Sequence, residues 1–110
     1  MTDQEFFNKV WERAKDPRVA SGTGGTCMYR APDGLRCFVG ECIPDAEYDP
    51  SIEKNTVSDL LFDGKIPPTL NGVDVFLMSD CQSVHDCHLP QFWRERLTFI
   101  AEKYKLQIPN

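Results

Sequence analysis

The chain has 110 residues, 41% of them hydrophobic and 26% charged, which is the balance of a single globular domain. This composition excludes collagen-like, coiled-coil and disordered classes, and no stretch approaches the roughly 20 apolar residues that a membrane helix needs. The net charge of −5 argues against binding to a nucleic-acid backbone, which needs a basic face. The acidic N-terminus lacks the pattern of a signal peptide, so we expect a cytoplasmic protein.

The first predicted element is a helix from about Asp3 to Lys15. Thr2 and Glu5 have the spacing of a capping box, in which each side chain bonds the backbone N–H of the other residue. Apolar residues then recur at helical spacing, and Pro17 ends the pattern. The Gly-rich loop from Ser21 to Thr26 follows; its amides can approach an anion, but it lacks the ending of a phosphate loop.

The clearest local signal is a predicted β-hairpin. Residues 27–30 and 35–39 flank the tetrapeptide Ala-Pro-Asp-Gly, in which proline presets the turn and Gly34 permits a left-handed exit. The alternation of side chains on both arms supports two short strands. An isolated hairpin is marginally stable, so we expect helices to cover one of its faces.

Three further helices are predicted after the hairpin. A short helix is capped by residues 56–59 and stops at Gly64, and a last helix runs from near Pro90 to Leu106. Between them, residues 71–74 cap a longer helix with an apolar stripe of Val73, Phe76, Leu77, Cys81 and Val84. The predicted fold is therefore a single α+β domain over residues 1–110, with an N-terminal helix, one antiparallel hairpin and three to four helices packed on it.

Two motifs resemble a known group of proteins. Residues 27–40 read C-x-Y-R-x-P-D-G-x-R-C-x-V-G, and residues 82–86 read Q-x-V-H-D. This pattern is similar to that of small uncharacterised proteins of phages, prophages and bacteria. The resemblance implies a phage-like context and supplies no mechanism. Two cysteines, Cys42 and Cys81, depart from the pattern and look like small core residues.

The cysteines allow one metal hypothesis. Five are present and none forms Cys-x-x-Cys, which favours free thiols. Cys81 and His85 lie four residues apart and share a helix face, and Cys37 and Cys42 can complete a tetrahedral set. The alternative is a set of buried thiols with no metal. We therefore expect no cofactor, and a structural zinc is the alternative hypothesis.

A second hypothesis is catalysis by a cysteine nucleophile. Cys37 requires a base to form a thiolate, and His85 is the candidate. Neighbouring residues on a helix point in different directions, so we do not expect Asp86 to orient His85. The alternative is a hydrogen-bonded structural histidine, because a buried imidazole needs partners.

The third hypothesis is a binding surface formed by Tyr29, Arg30, Arg36 and Asp86. Guanidinium groups match carboxylates and phosphates and stack on rings, which suits a nucleotide-like ligand. The alternative is a pair of arginines that faces water. The leading prediction is an accessory binding module rather than an enzyme. It captures a host protein or a small anionic ligand, with counter-defence as a suggested role. A cysteine-dependent enzyme and a zinc-stapled structural domain are the other two readings.

Overall fold

Four α-helices form the framework of the computed structural model, which describes residues 1–22 and 27–109. They are α1 (Asp3–Arg13), α2 (Val57–Phe62), α3 (Val75–Cys87) and α4 (Trp93–Tyr104). Single 3₁₀ turns join them at Gly40–Cys42, Asp45–Glu47, Pro50–Ile52, Pro68–Leu70 and Pro90–Phe92. The predicted anion-binding amides of Gly24 and Gly25 lie outside the described residues. None of the described helices is both long enough and apolar enough to cross a membrane.

The starts of two helices confirm the predicted caps. Thr2 accepts a hydrogen bond from the N–H of Glu5, and the Glu5 carboxylate accepts one from the N–H of Thr2. Thr56 and Asp59 form the same reciprocal pair at the start of α2. Each box satisfies N–H groups that have no partner within the helix, so these helices begin where the sequence predicts.

The predicted β-hairpin is wrong, and the α+β fold class is wrong with it. The described residues contain no strand and no sheet; they contain only two isolated bridges, Ser21 with Cys27 and Arg30 with Arg36. The turn itself lies where it was predicted, with Gly34 at a φ of 90° and the N–H of Ala31 bonded to the carbonyl of Leu35 at 2.8 Å. The chain therefore reverses as expected and does not continue as paired strands.

Side chains from other elements explain why the arms do not pair. The Glu53 carboxylate accepts the N–H groups of Tyr29 at 2.9 Å and Arg30 at 3.1 Å. On the other arm, the N–H of Val39 donates to the side-chain oxygen of Gln82, and Gly40–Cys42 winds into a 3₁₀ turn. Backbone donors that a hairpin would use across the pair are thus taken by tertiary contacts.

The core lies where α3 packs against α4 and α2, and α1 rests on the Gly40–Cys42 turn. Phe38, His85 and Trp93 form an aromatic cluster at its centre, with ring centroids 4.9 to 5.4 Å apart. One predicted core residue is misplaced, since Phe76 is 71% exposed. The buried face of α3 consists of Leu77, Met78, Cys81, Val84 and His85.

Candidate functional site

A cleft of about 510 Å³ is lined by residues from three parts of the chain. The segment of residues 27–29 and Cys37 contribute apolar and sulfur atoms, and α3 contributes polar groups. The turn of residues 54–55 and the start of α2 complete the lining. Small-molecule sites occupy roughly 300–1,000 Å³, so this volume suits a compact ligand.

The polar part of the cleft is one face of α3. Ser79, Gln82, Ser83 and Asp86 line the cleft and are spaced three, four and seven residues apart, which places them on one side of a helix. Asp86 was predicted as a binding residue and Gln82 belongs to the Q-x-V-H-D motif, whereas Ser79 and Ser83 were not predicted from the sequence. Their helical spacing opposite the buried face was the signal that could have found them.

Asp86 lines this cleft and is held by its neighbours on α3. Its Oδ1 accepts a hydrogen bond from the Gln82 amide at 2.8 Å and lies 2.8 Å from Nδ1 of His85. The expectation that Asp86 does not orient His85 is therefore wrong. The side chain of Asp86 is 35% exposed, so part of the carboxylate remains accessible.

His85 is buried and both of its ring nitrogens are engaged. Nε2 accepts the N–H of Ala20 at 3.2 Å, which requires a lone pair on that nitrogen. In the neutral ring the proton then sits on Nδ1 and is donated to Asp86. The ring also stacks on Trp93. In this arrangement His85 has no free lone pair with which to accept a proton or bind a ligand.

Cys27 joins the same group of side chains. Its sulfur, a ring nitrogen of His85 and a carboxylate oxygen of Asp86 lie within 4.8 Å of one another, which makes this trio a possible metal site. Burial, followed by the negative charge and hydrogen bonding of Asp86, raises the pKa of Cys27 to about 11. The thiol is therefore protonated at neutral pH.

The other expected metal ligands lie apart from this trio. Cys42 and Cys81 are buried in the core, and the thiol of Cys42 donates to the carbonyl of Phe38 at 3.7 Å. Burial is the main reason that the pKa of Cys42 rises to about 12, and it raises that of Cys81 as well. Within residues 1–22 and 27–109, neither these two cysteines nor Cys37 joins His85 in a ligand cluster.

Cys37 lines the cleft and is nevertheless almost fully buried, with 1% of its surface exposed. The N–H of Gly40 donates to its sulfur at 3.3 Å. Burial raises the pKa of this thiol far above its usual range, and the bond from Gly40 offsets only part of that effect. A thiolate nucleophile requires the opposite environment. Cys37 and His85 are therefore both held as structural groups.

The predicted binding residues Tyr29, Arg30 and Arg36 do not form one surface. Tyr29 lines the cleft but is buried, and its hydroxyl donates to the carbonyl of Asn55 at 2.7 Å. Arg30 stacks on the ring of Tyr48 and donates to the carbonyl of Ile43. Both arginines pair with Asp45, at 2.8 and 3.0 Å, and neither lines the cleft.

The positive charge in the cleft comes from Lys54, which the sequence analysis did not single out. It is exposed, lines the cleft and takes part in no ion pair in the described part of the chain. Its backbone has a φ of 67°, in the left-handed region, because the turn after Pro50–Ile52 ends there. No pattern in the sequence marks a lysine for that position.

Comparisons with protein families, with curated proteins and with solved structures found no match. The resemblance of the two motifs to phage and bacterial proteins therefore stays a prediction.

Proposed function

We propose that the protein is a binding module whose cleft takes a small anionic ligand of nucleotide-like chemistry. The observation that carries this proposal is the pairing, in one cleft, of the unpaired cation Lys54 with the polar face of α3. The anionic group of the ligand lies at Lys54, and an amino or hydroxyl group donates to Asp86. The free thiols support the cytoplasmic location expected from the sequence.

The hydroxyl groups of the cleft support an anion or another acceptor-rich group. In the described part of the chain, the side chains of Ser58, Ser79 and Ser83 line the cleft and enter no hydrogen bond with other residues. Each hydroxyl therefore has a proton to donate to a phosphate or carboxylate oxygen. Asp86 supplies the complementary acceptor, because Gln82 and His85 both contact its Oδ1 and its side chain stays 35% exposed.

The test is an NMR titration of the labelled protein with adenosine and guanosine monophosphate, with inorganic phosphate as a minimal probe. We expect amide shifts that saturate at Lys54, Ser58 and Ser83. Lys54→Gly removes the cation and relieves the left-handed backbone, so the fold is kept while affinity falls about tenfold. Lys105→Gly is the matched control, because Lys105 also has positive φ, at 57°, and lies outside the cleft.

Two results contradict this proposal. The first is a titration in which none of the three probes moves the cleft amides. The second is a Lys54→Gly protein that binds as tightly as the Lys105→Gly protein.

Zinc at Cys27, His85 and Asp86 is the second candidate, favoured by the 4.8 Å proximity of their ligand atoms. Binding through Nδ1 would move the ring proton to Nε2 and break the bond from Ala20. A chelator titration followed by native mass spectrometry decides the matter. A bound zinc that is lost in Cys27→Ser, but not in Cys87→Ser, supports the site. A metal-free mass after zinc is added contradicts it.

A further inference from the structure

The α4 helix has a second apolar face that the core does not use. Its inner face, with Trp93 and Leu97, is buried. Phe92 and Phe99 are 42% and 55% exposed, seven residues apart. Phe92 is the residue just before α4, at the end of the Pro90–Phe92 turn, and Phe99 lies within the helix. Continued over seven residues at 100° each, the helix brings the two positions to within about 20° of each other around its axis. They form an exposed aromatic stripe opposite the buried side.

Acidic side chains lie on one side of this stripe and basic side chains lie on the other. Glu95 and Arg96 lie about 50° to either side of the line through the two rings. Glu102 extends the acidic side and Lys103 the basic side. Lys103 pairs with Asp80 of its own chain, whereas Glu95 and Arg96 form no ion pair in the part of the chain that the structure describes. Glu95 and Arg96 are therefore the charges beside the stripe that can pair with another molecule.

We propose that this face of α4, defined by Phe92, Glu95, Arg96 and Phe99, binds a second copy of this chain. A twofold axis parallel to the helix brings opposite sides together, so that Glu95 of each copy meets Arg96 of the other. The two phenylalanines then pack on their counterparts. A twofold axis perpendicular to the helix brings like sides together, which places acid against acid. Charge complementarity thus selects a parallel dimer.

The dimer is weak, because one helix face is smaller than the roughly 800 Å² per partner of a stable interface. Sedimentation equilibrium from about 10 µM to about 1 mM therefore covers the transition. We expect the mean mass to rise from one chain to two. Phe99→Lys weakens association at least about tenfold, because it places a cation in the centre of the contact. Phe62→Lys is the matched control, since Phe62 is 92% exposed and lies on α2.

A charge-reversal series tests the orientation. Glu95→Lys alone and Arg96→Glu alone each weaken the dimer about threefold to tenfold, and the double variant recovers wild-type association. Circular dichroism of each variant confirms the helix content.

Three outcomes overturn the proposal. They are a monomer at every concentration, a dimer that Phe62→Lys weakens and Phe99→Lys does not, and a dimer that the double reversal fails to restore. The second of these places the contact elsewhere, and the third excludes the parallel pairing.

Discussion

Glu53 and Asp86 are two carboxylates that organise neighbouring parts of the molecule in different ways. Glu53 accepts the N–H groups of Tyr29 and Arg30 and the hydroxyl of Tyr48, so both of its oxygens are engaged. Asp86 accepts from His85 and Gln82 through Oδ1, lies beside the thiol of Cys27, and has a side chain that is 35% exposed. Glu53 therefore holds the backbone of residues 29 and 30 in place. Asp86 is itself held by neighbouring side chains and lines the cleft.

This difference shows how a ligand-binding carboxylate is distinguished from a structural one. A carboxylate whose acceptor sites are filled by backbone N–H groups holds the fold, and its loss leaves buried donors without partners. A carboxylate that is oriented by side chains around it and stays partly exposed can still accept a hydrogen bond from a ligand. Four predictions test this contrast, beginning with the largest expected effect.

The Glu53 region depends on a close backbone approach at Gly40. A Cβ placed there overlaps the carbonyl oxygen of Tyr29, which is a backbone atom and cannot move aside without shifting the chain. We expect Gly40→Ala to destabilise the fold by about 4 kcal/mol or to prevent folding. Urea unfolding measures the loss.

The control for Gly40→Ala is Gly34→Ala. Gly34 has a φ of 90° with open space around it, so only the backbone cost of about 1 kcal/mol applies. Equal losses in the two variants contradict the close approach at Tyr29.

The two carboxylates differ in their expected contribution to the free energy of unfolding. Glu53→Ala leaves two backbone N–H groups and the Tyr48 hydroxyl without their acceptor, and we expect a loss of about 3 kcal/mol. Asp86→Asn keeps an acceptor oxygen for His85 and costs under about 1 kcal/mol. Denaturant unfolding of both variants provides the comparison. A larger loss for Asp86→Asn would reverse the assigned roles.

Arg30 and Arg36 share Asp45 but differ in their other contacts. Arg30 also donates to the carbonyl of Ile43 and lies 4.5 Å from the ring centroid of Tyr48. We expect Arg30→Ala to cost about 1–2 kcal/mol, and Arg36→Ala under about 0.5 kcal/mol, because Asp45 is largely exposed. Thermal unfolding distinguishes the two, and similar melting temperatures contradict the structural role of Arg30.

The last prediction is a pH dependence of stability that distinguishes the Asp86 region from the Glu53 region. Burial and Asp86 raise the pKa of Cys27 from 9.0 to about 11, and burial and Glu53 raise that of Tyr48 from 10.0 to about 12. The folded state holds both protons more tightly. The stabilisation is therefore complete below the unfolded pKa and is lost as the pH rises, from about 9 to 11 for Cys27 and from about 10 to 12 for Tyr48.

Unfolding under reducing conditions between about pH 8 and pH 12 measures this loss. Cys27→Ser lessens the loss in the lower window and Tyr48→Phe lessens it in the upper one, because neither replacement titrates there. The rest of the loss comes from the other buried thiols and tyrosines, whose pKa values burial also raises. An unchanged pH profile in Cys27→Ser contradicts the contact with Asp86.

Local sequence signals specify the starts of two helices and the position of the central turn. Thr2 with Glu5, and Thr56 with Asp59, are local pairs whose partners lie within one helical turn. The same holds for the turn that ends at Gly34, where the left-handed backbone favours glycine. Local signals of this kind act over three or four residues and need no tertiary contact.

Tertiary contacts set the conformation of the chain on both sides of the turn and form the cleft. Glu53 and Gln82 take backbone donors from segments 24 and 43 residues away, which converts a predicted hairpin into irregular chain. Folding also places a hydrogen-bond partner at each ring nitrogen of His85 and buries Cys37. It brings Lys54 into the same cleft as α3. Of the predicted site residues, Asp86 and Tyr29 reach the cleft, and Arg30 and Arg36 do not. Acceptors distant in the sequence bind the backbone N–H groups that strand pairing would have used. A local sequence pattern does not contain the positions of such acceptors.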